Sequence, residues 1–94
     1  MPMHHLPPDE RPRERCLRLG VGPLSAVELL ALVLGSGIRD GSALALAHGV
    51  LEQFVTLRDL SRADPAELQV LPGIGEARSV ALAAAFELGR RSRS

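Results

Sequence analysis

Residues 73 to 79, "GIGEARS", set two glycines, an arginine and a serine at the entry to an apolar-periodic run, and that combination can hold an anion. Glycines at 73 and 75 allow positive φ and leave the main chain without a Cβ, so another molecule can approach it closely. Ile74 between them can turn inward and pin the hinge. The amides of Gly73, Gly75 and Glu76 would then face outward at a helix N-terminus, where the helix dipole adds partial positive charge suited to a phosphate. Arg78 can add a charge-assisted contact and Ser79 a hydroxyl contact to the same phosphate or its neighbour. The Glu76 carboxylate works against an anion. Contacts of this kind use no base edges, so they would hold a nucleic-acid backbone whatever its sequence. The same residues also suit a tight corner between two helices, with no ligand involved.

Other chemistry is sparse. No carboxylate pair, nucleophile with a base or metal-ligand cluster stands out, so no catalytic residue and no cofactor is expected. Cys16 is the single cysteine, which excludes an internal disulfide and a cysteine-based zinc site; its apolar-periodic segment reads as a place for a buried thiol. His4 and His5 are adjacent without a third ligand in view and read as solvated, and His48 reads as a partly buried or surface side chain. All 11 basic residues are arginine, which suits bidentate phosphate contacts and equally reflects a GC-rich coding bias. The net charge of zero hides an uneven spread. Residues 1 to 19 hold four arginines against three acids, residues 20 to 75 three against six, and residues 76 to 94 four against two. An anion-binding face is therefore expected toward the C-terminal end.

The elements that must position these residues read as helices. Hydrophobic residues make up 46% of the 94, yet Phe54 and Phe86 are the only aromatics, so the core must be aliphatic and alanine-rich, which favours closely packed helices. Residues 1 to 9 read as an extended arm, 10 to 91 as one all-α domain and 92 to 94 as the start of a linker. "RPRERCLRLG" is a short helix with Pro12 in its first turn, Gly20 at its end, and Cys16 and Leu19 facing inward. Ser25 with Glu28 makes a capping box for a helix that stops at Gly35. Ser42 is expected to cap a third helix after "GSGIRDG". Thr56 with Asp59 marks a fourth, and Asp64-Pro65-Ala66-Glu67 a fifth that ends at Leu71 before Pro72. The last runs from about Glu76 to Arg90, with Ala77, Val80, Ala81, Ala84 and Leu88 as its expected inward stripe. No apolar run approaches the length of a membrane span and no signal-peptide pattern begins the chain, so a soluble, cytoplasmic protein is expected.

Sliding the chain on itself by 37 residues brings Val33-Leu34 onto Val70-Leu71 and "SALALA" onto "SVALAA". Both copies read helix, glycine turn, helix, and Ser36, Gly37, Ile38 and Arg39 would form a looser first hairpin. "LQVLPGIGEARSVAL" resembles the helix-hairpin-helix motif. "ERPRER", "LSAVELLALVLGSG" and "ELGRR" extend the likeness over about residues 7 to 91, to the N-terminal region of the bacterial RadC family. The resemblance implies a compact bundle of five to six short helices in a tandem helix-hairpin-helix, SAM-like architecture. It also implies a separate downstream JAB/MPN metal-binding domain with a His-x-His motif, which these 94 residues do not contain. The family is associated by tradition with DNA repair. Its members often carry a basic residue near position 41, where this chain has Asp40-Gly41, which weakens the case for the first hairpin. In hairpins of this type bound to DNA a monovalent cation can sit on main-chain carbonyls, here those of Gln69, Leu71 and Ile74. The function expected is a non-catalytic, sequence-independent module for double-stranded or branched DNA. The alternative is a protein docking domain that positions the family's own C-terminal domain.

Overall fold

The computed structural model describes residues 11–35 and 40–93. The arm with His4 and His5, and the first-hairpin residues Ser36, Gly37, Ile38 and Arg39, lie outside them. Among the described residues there are six helices and no strand: α1 (Pro12–Leu19), α2 (Ala26–Leu34), α3 (Asp40–Gln53), α4 (Leu57–Arg62), α5 (Pro65–Gln69) and α6 (Glu76–Arg91). The expected all-α class holds. The chain divides into two units, Met1–His48 and Gly49–Ser94, with the boundary inside α3.

In the first unit, α1 opens on Pro12 and closes on Gly20, whose φ of 82° suits a residue without a Cβ and whose amide donates to the Cys16 carbonyl at 2.8 Å. Pro12 is buried, Cys16 is half-buried and Leu19 keeps 42% of its surface exposed, so the expectation that Leu19 faces inward is corrected. Over its eight residues α1 buries Pro12 alone, and residues 17 to 19 of its last turn are exposed. α1 packs on α2, and Arg15 Nε donates to Glu28 Oε2 at 2.8 Å between them. The expected capping box is present: the Glu28 amide donates to Ser25 Oγ at 3.2 Å, and the Ser25 amide donates back to Glu28 Oε1 at 3.0 Å. α2 buries Leu30, Ala31 and Leu34 and ends at Gly35. There a Cβ would stand 2.6 Å from the Ala31 carbonyl oxygen and 3.3 Å from the Ala43 Cβ, so glycine is required by packing. α3 begins at Asp40, which places Ser42 inside its first turn and not at its cap as expected. Ala43, Leu44 and Ala47 are its buried residues in this unit.

Glu28 carries a measurable consequence. The Ser25 amide first, then the Ser25 hydroxyl and the Arg15 guanidinium, stabilise its carboxylate, partial burial opposes them, and the pKa lies below the ordinary glutamate value. A depressed folded-state pKa contributes stability that is present above the unfolded value and is lost as pH falls through the folded one. Acid titration of the melting temperature should therefore decline below the ordinary glutamate range, and Glu28→Gln should flatten that decline. Ser25→Ala should cost about 0.5 to 2 kcal/mol, read as a lowered melting temperature.

In the second unit, Thr56 caps α4 through the Asp59 amide at 3.0 Å. α5 carries a full capping box, with the Glu67 amide donating to Asp64 Oδ1 at 2.9 Å and Pro65 in its first turn. α5 closes at Gln69, two residues before the expected end, because Leu71 already belongs to the turn that follows. α5 packs on α6. Val50, Leu60, Leu68, Ile74 and Leu82 are buried here, together with Ser79.

The inner face of α6 differs from the expected one. Ser79 and Leu82 are buried, with Ala83 and Phe86 half-buried on the same stripe, while Ala77, Val80, Ala81, Ala84 and Leu88 are exposed. Alanine occurs all round this helix, so small residues set no contrast between faces, and Leu82 is its largest buried side chain. A serine tolerates the interior because its hydroxyl donates to the Glu76 carbonyl at 2.8 Å.

Candidate nucleic-acid interface

The Gly-Ile-Gly turn is built from both sides. The Ile74 amide donates to the Leu71 carbonyl at 3.1 Å, closing a four-residue turn with Pro72 second and Gly73 third. Gly73 has φ +83°, the position where this turn needs a residue without a Cβ. Ile74 is 4% exposed and holds the turn to the core of its unit, as the sequence predicts. That anchoring occupies it: its side chain is buried and its amide is spent in the turn, so Ile74 supports the cradle and does not itself donate to a ligand.

Gly75 is the N-cap of α6 with φ −89° and ψ −169°, extended backbone that any residue adopts, so the expected need for positive φ holds at Gly73 and not at Gly75. A Cβ at Gly75 would meet nothing within 4 Å. Neither its conformation nor packing among the described residues calls for glycine here. Its carbonyl accepts the Ser79 amide at 3.0 Å, which closes the first turn of α6, and no side chain caps the helix. A helix start leaves its first amides without an intrahelical acceptor, here those of Gly75, Glu76 and Ala77. The sequence reading named the Gly75 and Glu76 amides and missed Ala77, although the expected helix start already implied it.

Gly73, Gly75 and Glu76 are exposed. Arg78 is half-buried and reaches back over the turn, with Nη1 3.5 Å from the Gly73 carbonyl, so its guanidinium lies beside the cradle. Ser79 is corrected: fully buried, with its hydroxyl on Glu76 and its amide on Gly75, it has nothing to offer a phosphate. The basic tail is separate from the cradle. Arg90 lies twelve residues beyond Arg78 on the same helix, roughly 18 Å along the axis. Arg90 and Arg91 both pair with Glu87 at 3.0 Å, and Arg90 Nη1 also donates to the Ser61 carbonyl at 2.9 Å. Those pairs hold the Glu87 carboxyl below its ordinary pKa, the Arg91 hydrogen bond contributing most.

Among the described residues no group of three or more His, Cys, Asp or Glu side chains is placed to hold a metal ion, and no helix is long and apolar enough to cross a membrane.

Residues 3–80 match the family description "UPF0758 N-terminal". The chain belongs to the UPF0758 family, which is the RadC family. Among its relatives, a UPF0758 protein of Bordetella pertussis is 51% identical over 81 residues, covering 86% of this chain and 36% of that protein. One from Shouchella clausii is 48% identical over 86 residues, covering 92% and 37%. One from Chlorobium chlorochromatii is 44% identical over 91 residues, covering 97% and 40%. The chain thus spans less than half the length of these UPF0758 relatives. No solved structure matches it.

Proposed function

We propose that this UPF0758 domain is a non-catalytic module that holds the backbone of DNA, without sequence preference, at the Leu71–Arg78 hairpin. The observation that carries the reading is Gly75. α2, α4 and α5 begin on Ser25, Thr56 and Asp64, each accepting an amide with its side chain, whereas α6 begins on a glycine that nothing among the described residues requires. A side-chain cap there would occupy the open amides and stand where a phosphate would come. Glycine leaves both the donors and the space available, and Arg78 adds positive charge at the same place.

The residues also suit the monovalent cation that hairpins of this type hold. Gln69 ends α5, so its carbonyl is one that the helix leaves without a helical donor, and the Leu71 carbonyl keeps one lone pair after accepting the Ile74 amide. With the Ile74 carbonyl they would offer neutral oxygens, and the cation would supply positive charge beside the phosphate.

The test is a salt titration of the isolated domain on duplex DNA. One cradle and one arginine neutralise two or three phosphates, so log affinity should fall against log salt with a slope of about −2 to −3. Arg78→Ala should weaken binding for all sequences alike and reduce the slope by about one. No salt-sensitive association even at low ionic strength would leave the hairpin a tight corner only.

A second reading has its own observation. The exposed stripe of α6 is apolar, with Val80 at 51% and Leu88 at 68% exposed, and unpaired apolar surface of this kind suits a protein partner. The natural candidate is the remainder of the longer UPF0758 proteins, whose C-terminal domain this one would then position.

A further inference from the structure

A second cationic feature lies in the same unit, toward the opposite end of α6 from the hairpin. A groove of about 690 Å³ runs between α4 and the last turns of α6. Its lining is partly apolar: Leu57, which is 50% exposed, Ala85 and the half-buried Phe86. A Cβ at Gly89, also in the lining, would meet nothing within 4 Å. Arg58 and Arg62 of α4 also line it, with Arg90 and Arg93, and among the described residues no acidic side chain lines it. Arg90 donates to Glu87 and, across to α4, to the Ser61 carbonyl, which fixes its guanidinium beside α4. The guanidinium groups of Arg58, Arg62 and Arg93 have no ion pair among the described residues.

We propose that this groove receives an acidic protein segment that sets carboxylates on its arginines and an apolar side chain on Leu57 and Phe86. The charge and the apolar lining together select this occupant. A nucleic-acid strand can place phosphates on the arginines but has no aliphatic side chain to cover Leu57. An acidic segment can offer carboxylates to the arginines while a Leu or Phe beside them covers Leu57 and Phe86. The fork of each arginine is shaped for paired carboxylate oxygens. Removing the apolar lining from water adds a non-electrostatic contribution that a simple polyanion would lack.

The test uses the full chain, isotopically labelled for NMR, and three synthetic heptapeptides. The first is Glu-Glu-Leu-Glu-Phe-Glu-Glu, the second has serine for its Leu and Phe, and the third has glutamine for every Glu. The first peptide, added to millimolar concentration, should shift the resonances of Leu57 to Arg62 and of Phe86 to Arg93, leaving those of the hairpin in place. The serine and glutamine peptides should each bind at least about tenfold more weakly, a difference of about 1.4 kcal/mol. The double variant Arg58→Glu, Arg62→Glu should abolish binding; both residues are exposed and have no ion pair among the described residues, and a preserved helical circular dichroism spectrum confirms that the variant folds. Gly75→Asp should leave peptide binding intact, so failure at the hairpin and failure at the groove are read separately. The proposal is overturned if the first peptide produces no shifts, if the serine peptide binds as well, or if the double variant retains binding. A thymidine oligonucleotide that shifts the groove resonances at lower concentration than the first peptide would overturn it in favour of nucleic acid.

Discussion

Gly75→Asp should abolish binding to DNA while leaving the UPF0758 domain at least as stable as the natural protein. The backbone at Gly75 already has the extended conformation of a helix cap, and a Cβ there would meet nothing within 4 Å. An aspartate in that place can accept the Arg78 amide just as Asp64 accepts the Glu67 amide at the start of α5. Replacing glycine at a cap by aspartate is worth a few tenths of a kcal/mol, so the melting temperature should hold or rise slightly. The phosphate site loses on three counts: the donors are occupied, the approach is filled and a negative charge stands beside the anion. Affinity for duplex DNA should fall below detection at low salt. Gly75→Val separates these causes, since it fills the approach without adding charge, and it should also remove binding. A folded Gly75→Asp or Gly75→Val domain that binds DNA as well as the natural one would sink the cradle and leave the docking reading in its place.

The parts of this fold that were legible in the sequence are those set by neighbours in the chain. The boxes at Ser25 and Asp64, the cap at Thr56 and the stop at Gly20 each depend on groups within about four residues, so residue type and spacing suffice. The facing of α6 depends on which side meets the rest of its unit. In a helix whose sequence is "EARSVALAAAFELGRR", alanine gives nearly equal claims to several stripes, and the buried serine misleads until its hydrogen bond to Glu76 is seen. The end of α3's cap shows the same limit at shorter range: Ser42 has the right chemistry for a cap, but the helix begins two residues earlier.

The candidate site divides the same way. Gly73 and Ile74 do what the turn chemistry of Leu71-Pro72-Gly73-Ile74 demands, and both roles follow from the sequence. In the sequence Ser79 reads as a hydroxyl ligand beside Arg78, yet one step along a helix is a rotation of about 100°, enough to carry it from the surface into the core. The arginines of the groove come from segments some thirty residues apart, Arg58 and Arg62 against Arg90 and Arg93. No spacing rule joins them; the Arg90–Ser61 hydrogen bond and the groove that α4 and α6 share do.

Ile74→Ala tests whether the hairpin is held by the core as the geometry requires. Ile74 is 4% exposed, and truncating a buried isoleucine to alanine costs about 2 to 5 kcal/mol, a large part of the roughly 5 to 15 kcal/mol that holds a small domain folded. For a chain of this length each kcal/mol moves the melting temperature by about 4 to 8 °C, so a fall of about 10 °C or more is expected in a thermal scan. Val70→Ala, four residues earlier and 82% exposed, is the control and should change little. The effect on binding follows from the same contact. Without the isoleucine the Leu71 to Ile74 turn keeps its hydrogen bond but loses its anchor, and the Gly75, Glu76 and Arg78 donors are no longer held at a fixed angle. At a temperature where the variant is still folded, its DNA affinity should therefore drop while the salt slope stays near that of the natural domain, because no charge has been removed. An unchanged melting temperature would show that the turn is not anchored through Ile74. A destabilised variant with full affinity would show that the cradle does not depend on that anchor.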